Sequence, residues 1–194
     1  MKRVVLLIDG GHLRALARKD KVAYNPDLIE KFSMGCVDGD EDLIRILYYD
    51  CAPYSGKAKL PVSGAIKDFQ GDARWLNDLA ARDLFAVRLG VLKFRGFTPK
   101  KTPIGTGPLN DDDFKPDFEQ KGVDMRIGLD IATYSASGKV DRIVLVTNDT
   151  DCVPAMKHAR IAGVQVVLTE FGDHKLASEL TWHTDVRRAV KWPN

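Results

Sequence analysis

Short apolar runs without polar alternation recur along the chain. Such runs extend from Val4 to Ile8, from Ile143 to Val146 and from Val164 to Leu168, and a similar run from Leu43 to Tyr49 is interrupted by Arg45. Continuous runs rich in β-branched residues are typical of strands that are buried on both faces. The pattern predicts strands at 3–8, 43–50, 85–93, 142–147 and 164–169.

Helical patterns lie between these runs. Asn25 and Pro26 are typical of the cap and first turn of a helix, and an apolar stripe with helical spacing follows them. Further helices are predicted at 68–82, 123–134, 151–162 and, as the closing segment, 175–191. Strands that alternate with helices favour right-handed crossovers and a mainly parallel sheet covered on both faces. We therefore expect one α/β domain over residues 1–194, built as a three-layer α/β/α sandwich.

One region interrupts this alternation. Residues 95–120 contain four prolines and several glycines, so a regular helix or a central strand is not expected there. We predict a long loop insertion, and loops of this length in compact domains are often functional. At its start, Lys93, Phe94, Arg95 and Phe97 mix cations with aromatic rings, which is the composition that holds single-stranded nucleic acid. The alternative is that Phe94 packs inward and the cations only solvate the loop.

Composition narrows the function classes only slightly. The net charge of +2 does not by itself indicate a nucleic-acid partner. Three widely spaced cysteines, outside any CxxC or Cys/His motif, favour reduced thiols in a cytoplasmic protein and argue against zinc. No apolar segment is long enough to span a membrane, so no membrane partner is expected.

Aspartates stand where the predicted strands and helices meet. Asp9 directly follows the first strand, Asp149 and Asp151 follow the strand at 142–147, and Asp124 begins the helix that leads into that strand. The C-terminal ends of parallel strands share one end of a sheet, where ligands bind. Crowded carboxylates repel one another unless a cation neutralises them, so the set predicts a magnesium or manganese site. Such a site can activate water for phosphodiester hydrolysis.

Each aspartate also has a local structural interpretation. Asp9, before two glycines, can be a turn residue, and Asp151 can be a helix N-cap, which explains it about as well as metal binding does. Asp124 can be a first-turn carboxylate that the helix dipole favours. Asp130 falls on another face of the same helix and is expected to be solvated.

Taken in order, three motifs resemble the NYN domain, in the LabA-like branch of the PIN-like ribonuclease superfamily. They are the segments Ile8 to Leu13, Lys121 to Asp124 and Val146 to Pro154, and Gly163 to Val167 continues the match. The resemblance covers almost the whole chain. It implies a PIN-like sheet with strand order 3-2-1-4-5, a magnesium or manganese site and endonucleolytic cleavage of RNA. Asp9, Asp124, Asp149 and Asp151 match the acidic positions of the family.

The resemblance also suggests substrate contacts. Lys121 matches a basic residue that precedes the third motif, with an exposed lysine as the equal alternative. Lys93 and Arg95 are further candidates, on the cationic and aromatic composition described above and not on the resemblance. Two positions depart from the family pattern: His12 replaces the usual Asn, and Asn148 replaces the usual Gly. His12 can donate a hydrogen bond to a phosphate, and Asn148 tolerates the backbone that glycine would adopt. The expected partner is single-stranded RNA, and homodimer formation is left open.

Rival interpretations fit less of the chain. A haloacid-dehalogenase phosphatase needs a second aspartate two residues after the first, where this chain has Gly11, and a receiver domain needs a lysine after its last strand, where Glu170 stands. Neither accounts for Lys121 to Asp124. A non-catalytic RNA-binding or regulatory protein on the same fold is the remaining alternative, and the intact set of four aspartates argues against it.

Overall fold

Nine strands form the sheets of the molecule, which a computed structural model describes over residues 1–193. In chain order they are β1 (Lys2–Asp9), β2 (Glu41–Cys51), β3 (Gly56–Lys59), β4 (Ile66–Phe69), β5 (Phe85–Pro99), β6 (Phe114–Lys121), β7 (Arg142–Val146), β8 (Gln165–Phe171) and β9 (Val186–Val190). Seven of them make one sheet in the order β6-β5-β2-β1-β7-β8-β9, and β3 and β4 form a separate hairpin. Neighbours in the large sheet are parallel except β5 and β6.

Within the described residues, six α-helices cover the sheet: α1 (Gly10–Lys19), α2 (Pro26–Gly35), α3 (Arg74–Ala80), α4 (Val123–Ala136), α5 (Val153–Ile161) and α6 (Ser178–Trp182). Strand β1 shows why both faces need a cover, since Val4 to Ile8 are all buried. Successive side chains point to opposite faces. Leu6 and Ile8 pack with α1, α2 and α3, whereas Val5 and Leu7 pack with α4 and α5. The predicted three-layer α/β/α architecture is confirmed.

The sheet order places the ends of β1 and β7 side by side. Between the outermost strands, β6 and β9, lie the five strands that the sequence predicted, in the order β5-β2-β1-β7-β8. Strand β1 pairs with β2 on one side and β7 on the other, and Ile8 lies opposite Val146. Residues that follow these two strands therefore meet at the C-terminal end of the sheet.

The predicted long loop at 95–120 is wrong over much of its length. Strand β5 continues to Pro99 and pairs with β6, so the irregular part is confined to 100–113. Pro116 is accommodated because β6 is an edge strand, where a missing N–H can face away from the ladder. A bulge between Phe94 and Gly96 shifts the register and keeps Phe97 on the same face as Phe94.

Two predicted helices also need correction. The closing segment 175–191 is helical only over α6 and then forms β9. In β9 buried and exposed side chains alternate from Arg187 onward, with Arg188 and Val190 buried, which is the pattern of a strand and not of a helix. The segment 68–82 begins with the end of β4, and its helix starts only at Arg74. Phe69, within the predicted helix, lies instead in β4 and packs with the aromatic residues of the hairpins.

Within residues 1–193, no helix is long and apolar enough to cross a membrane.

Candidate metal centre

Asp9 ends β1 and caps helix α1. Its Oδ1 accepts a hydrogen bond from the backbone N–H of His12 at 3.0 Å. The turn is tight because a Cβ on Gly10 would lie 2.4 Å from the ring of Tyr48, a distance that real Cβ atoms do not reach. Glycine at this position lets the backbone pass over Tyr48. The capping and the close approach together fix the carboxylate of Asp9 at the C-terminal end of the sheet.

Asp149 follows β7 and caps the short 3-10 turn Thr150–Cys152 that leads into α5. Its Oδ1 accepts from the backbone N–H of Asp151 at 2.9 Å, and its own N–H donates to Thr147 Oγ1 at 3.1 Å. The local interpretation of Asp151 as the N-cap is therefore wrong, since Asp149 holds that position. The exposed side chain of Asp151 is left without a capping role.

Asp124 enters the site from helix α4. Gly122, with φ +78°, stands in the left-handed region directly before the helix and lets β6 turn into it. Asp124 then lies in the first turn, where the helix dipole also favours a carboxylate. Asp130, six residues later, is not simply solvated as predicted: it accepts from Tyr49 Oη at 2.8 Å and lies 3.4 Å from Arg88 Nε.

The four predicted aspartates meet at this end of the sheet, and we call them the aspartate cluster. One carboxylate oxygen from each of Asp124, Asp149 and Asp151 lies within 4.8 Å of the other two. Asp9 shares with Asp124 and Asp149 the walls of one open basin of about 470 Å³, which we call the aspartate basin. The complete lining is Asp9, Gly11, His12, Gln120, Asp124, Asn148, Asp149 and Thr150.

Among the residues that the structure describes, 1–193, no cationic side chain pairs with the carboxylates of the aspartate cluster. Every ion pair within residues 1–193 involves other acidic side chains. Burial raises the pKa of Asp9, and the charges of Asp124 and Asp149 raise it further against the backbone hydrogen bonds of His12 and Gly11. Burial and the charges of Asp149 and Asp151 raise the pKa of Asp124. The cluster is therefore a region of uncompensated negative charge.

His12 and Asn148, the two departures from the family pattern, both line the aspartate basin. Burial, with a contribution from His174, lowers the pKa of His12 to about 4, so its ring is neutral near pH 7. The side chain of Asn148 supports the loop after β8: its Oδ1 accepts from Ala177 N at 2.8 Å, and its Nδ2 lies 3.5 Å from Lys175 O. Asn148 thus has a bracing role that glycine could not supply.

The three predicted cationic contacts lie around Glu119 instead. Lys121 Nζ is 2.6 Å from Glu119 Oε1, and Arg95 Nε is 2.9 Å from Glu119 Oε2. Lys93 pairs with Glu119 across the strands and contributes to lowering the pKa of that carboxyl. None of the three lines the aspartate basin. The neighbouring residue Gln120 does, because successive strand residues point to opposite faces, and nothing in its sequence context had marked it.

Phe94 packs inward, as the alternative interpretation held. Its ring centroid lies 5.3–5.6 Å from those of Tyr54, Phe69, Phe97 and Phe118. These five rings join the β3–β4 hairpin to the β5–β6 hairpin. The rings pack against one another in tilted, stacked and edge-on pairs, so the aromatic residues near Lys93 and Arg95 contribute to holding the two hairpins together.

Comparisons with known proteins agree with this architecture. The NYN domain matches residues 3–186. A crystal structure of a protein of unknown function from Vibrio parahaemolyticus is similar, with a TM-score of 0.56 and 14% identity over 97% of this chain and 92% of that one. This likeness concerns the fold alone. Among curated proteins, none matches the chain. The domain match spans nearly the whole sequence, and the chain therefore belongs to the NYN domain family, within the PIN-like nuclease superfamily.

Proposed function

We propose that the chain is a metal-dependent endoribonuclease that hydrolyses single-stranded RNA at the aspartate cluster. The observation that carries this proposal is the convergence of Asp124, Asp149 and Asp151, whose carboxylate oxygens lie within 4.8 Å of one another and form no ion pair within residues 1–193. Membership of the NYN family supports nuclease action and an RNA substrate. The finer assignment to a LabA-like branch rests on the motifs quoted above.

The chemistry of the donor set fits magnesium or manganese. Asp9, Asp124, Asp149 and Asp151 offer only carboxylate oxygens, which hard divalent cations prefer. The nearby thiol does not compete, because burial raises the pKa of Cys152 to about 12 and keeps it protonated. Repulsion among the carboxylates gives the site a further reason to take up a cation. We assign all four aspartates as ligands.

Several side chains have separate roles in the proposed hydrolysis. A bound divalent cation would supply Lewis acidity toward the phosphodiester and lower the pKa of a water molecule. Asp9, held through Oδ1 by the His12 N–H, keeps Oδ2 available to orient water beside the phosphate. His12, with its neutral ring in the basin wall, donates a hydrogen bond to a phosphate oxygen. Gln120 offers a second donor from β6.

The decisive experiment is incubation of the purified chain with end-labelled single-stranded RNA in manganese, magnesium or EDTA. We expect internal cleavage that needs metal and falls about 100-fold or more in Asp9→Asn, because the variant loses a charged ligand. Asp40→Asn is the matched control: it makes the same change at an exposed aspartate outside the cluster. Double-stranded RNA and single-stranded DNA arms test the substrate class.

Two outcomes would overturn the proposal. RNA binding that EDTA leaves unchanged, without cleavage under any metal, would favour the non-catalytic RNA-binding protein. Cleavage that persists in Asp9→Asn and in EDTA would assign the activity to another site or to a contaminant.

A further inference from the structure

A second cavity adjoins the aspartate basin, between α1 and the loop that follows β8. We call it the side cavity, and its volume is about 240 Å³. It shares His12 and Asn148 with the basin, so the two spaces are neighbours that meet at these two residues. Its complete lining is His12, Ala15, Leu16, Lys19, Asn148, Thr169, Phe171, His174, Lys175 and Leu176.

The inner wall of the side cavity is apolar. Leu16 and Phe171 are both buried core residues, and Ala15 and Leu176 add further apolar surface. The hydroxyl of Thr169 is committed to Leu145 O at 3.1 Å. An apolar pocket with a few polar groups at its rim is the usual form of a small-ligand site. A fully hydrated anion would not gain from such a wall.

His174 stands at the rim in a fixed orientation. Lys19 Nζ lies 3.0 Å from its Nδ1, and Asp20 Oδ1 lies 3.0 Å from its Nε2. Because the ammonium of Lys19 has only donors, Nδ1 is the acceptor, and Nε2 carries the proton that Asp20 accepts. Asp20 is itself held by Trp192 Nε1 at 2.8 Å. Both ring nitrogens of His174 are used, so the ring offers only its face to a ligand.

The rim is also supported from the side of the basin. Asn148 fixes the loop that carries Lys175 and Leu176 through its bonds to Lys175 O and Ala177 N. One residue that borders the basin thus sets the position of the opposite wall of the side cavity. The pocket is built from helix α1, strand β8 and this braced loop.

We propose that the side cavity binds the nucleobase of a nucleotide next to the phosphate held in the aspartate basin. This inference rests on the proposed function to the extent that RNA is the substrate. A base has flat apolar faces and polar edges, which match the apolar wall, the face of His174 and the His12 ring. Lys19 is occupied with His174, which leaves Lys175 at the rim for the phosphate of that nucleotide. The cavity then sets base preference at one position beside the cleavage site.

The test is binding of free nucleosides to the whole chain in EDTA, followed by backbone amide chemical shifts. Adenosine, guanosine, cytidine and uridine are compared with inorganic phosphate. We expect at least one nucleoside to shift the amides of His12, Ala15 and Lys175. Ala15→Trp should weaken that binding about tenfold, because the indole fills the space where a base would stack. Ala136→Trp, at an exposed position on α4 outside both cavities, is the matched control.

Ala15 is exposed on α1, and Ala15→Leu provides a smaller obstruction if the tryptophan variant does not fold. Shifts caused by inorganic phosphate alone, no nucleoside shifts at these amides, or unchanged binding in both Ala15 variants would each overturn the proposal. Since the measurement needs neither metal nor turnover, it separates the two proposals. Nucleoside binding without RNA cleavage would overturn only the nuclease, and cleavage without nucleoside binding would overturn only the base pocket.

Discussion

Two groups of acidic side chains lie at opposite ends of the same sheet, and both have the spacing of a metal site. At the C-terminal end is the aspartate cluster. At the N-terminal end, where β2 begins, lie Asp38, Asp40 and Glu41, which we call the Glu41 cluster. Glu41 is 5% exposed, and its carboxylate bonds Arg142 and Arg188, with Arg188 Nη1 at 2.9 Å and Nη2 at 2.8 Å. Arg188 also pairs with Asp38 at 2.8 Å.

The difference between the clusters lies in their counter-charges. In the Glu41 cluster the protein supplies its own cations, and the hydrogen-bonding capacity of Glu41 is completed by the Asp38 N–H at 2.7 Å. In the aspartate cluster no side chain does so within residues 1–193. Carboxylate spacing alone therefore does not distinguish a structural ion-pair network from a site that takes up a metal. The location of the arginines does.

The largest effect on stability is expected at the Glu41 cluster. Glu41→Ala should lower the free energy of unfolding by about 3–5 kcal/mol, because it leaves two buried guanidinium groups without their shared partner. Denaturant unfolding followed by circular dichroism measures this. Asp40→Ala changes an exposed residue of the same cluster that forms no ion pair within residues 1–193, and it should change stability by less than about 0.5 kcal/mol.

The pH dependence of the free energy of unfolding provides a further test of the ion pairs of Glu41. Burial alone would raise the pKa of Glu41, but the bonds from Arg188, the Asp38 N–H and Arg142 outweigh it and bring the pKa to about 2. A lowered pKa stabilises the fold above the ordinary value for glutamate, and this stabilisation is lost as pH falls toward 2. The difference between wild type and Glu41→Gln should therefore shrink on acidification below about pH 4. A constant difference from pH 7 to pH 2 would contradict the assigned ion pairs.

The same comparison shows what the sequence could reveal. Asp9, Asp149 and Asp124 are each placed by local features, namely a strand end or a helix start, so their convergence followed once a parallel sheet was expected. The Glu41 network depends on Arg188, which lies in a segment predicted to be helical. Short strands at the edge of a sheet acquire their structure from pairing with a neighbour, here β8, and local pattern carries little information about that pairing.

Longer-range pairing limited the prediction of the site as well. Gln120 reaches the aspartate basin only because β6 folds back along β5. The prolines and glycines of 95–120 correctly indicate an irregular segment, which the structure places at 100–113. They do not indicate that the residues on either side of it pair as the antiparallel strands β5 and β6. That pairing also brings Arg95 and Lys121 to Glu119, so the ion pairs of these two cations could not be predicted from composition.

A second prediction concerns the response to metal. Manganese at a hundredfold excess over its Kd should stabilise the wild-type chain by about 2.7 kcal/mol, because it binds the folded state. Thermal unfolding with and without manganese measures this. The shift should be absent or strongly reduced in Asp149→Asn, which retains the cap to Asp151, and unchanged in Asp40→Asn. An equal shift in all three proteins would place the cation elsewhere.

The smallest effect, and the one that separates the two clusters most clearly, is expected from Asp9→Asn without metal. Asparagine still caps α1, but the variant removes a half-buried charge that has no counter-ion in the described part of the chain, so stability at pH 7 in EDTA should rise by on the order of 1 kcal/mol. The pKa of Asp9 is raised, so its charge destabilises the fold above that pKa, and the penalty disappears as pH falls through it. The gain should therefore fade as pH approaches the ordinary range of aspartate near 4. Denaturant unfolding at several pH values checks this.

Both Asp9→Asn and Glu41→Gln should converge on wild type in acid, but from opposite sides, because one removes an uncompensated charge and the other a compensated one. If Asp9→Asn proves less stable than wild type at pH 7 in EDTA, Asp9 has a stabilising partner, and the contrast between the clusters fails at its central residue.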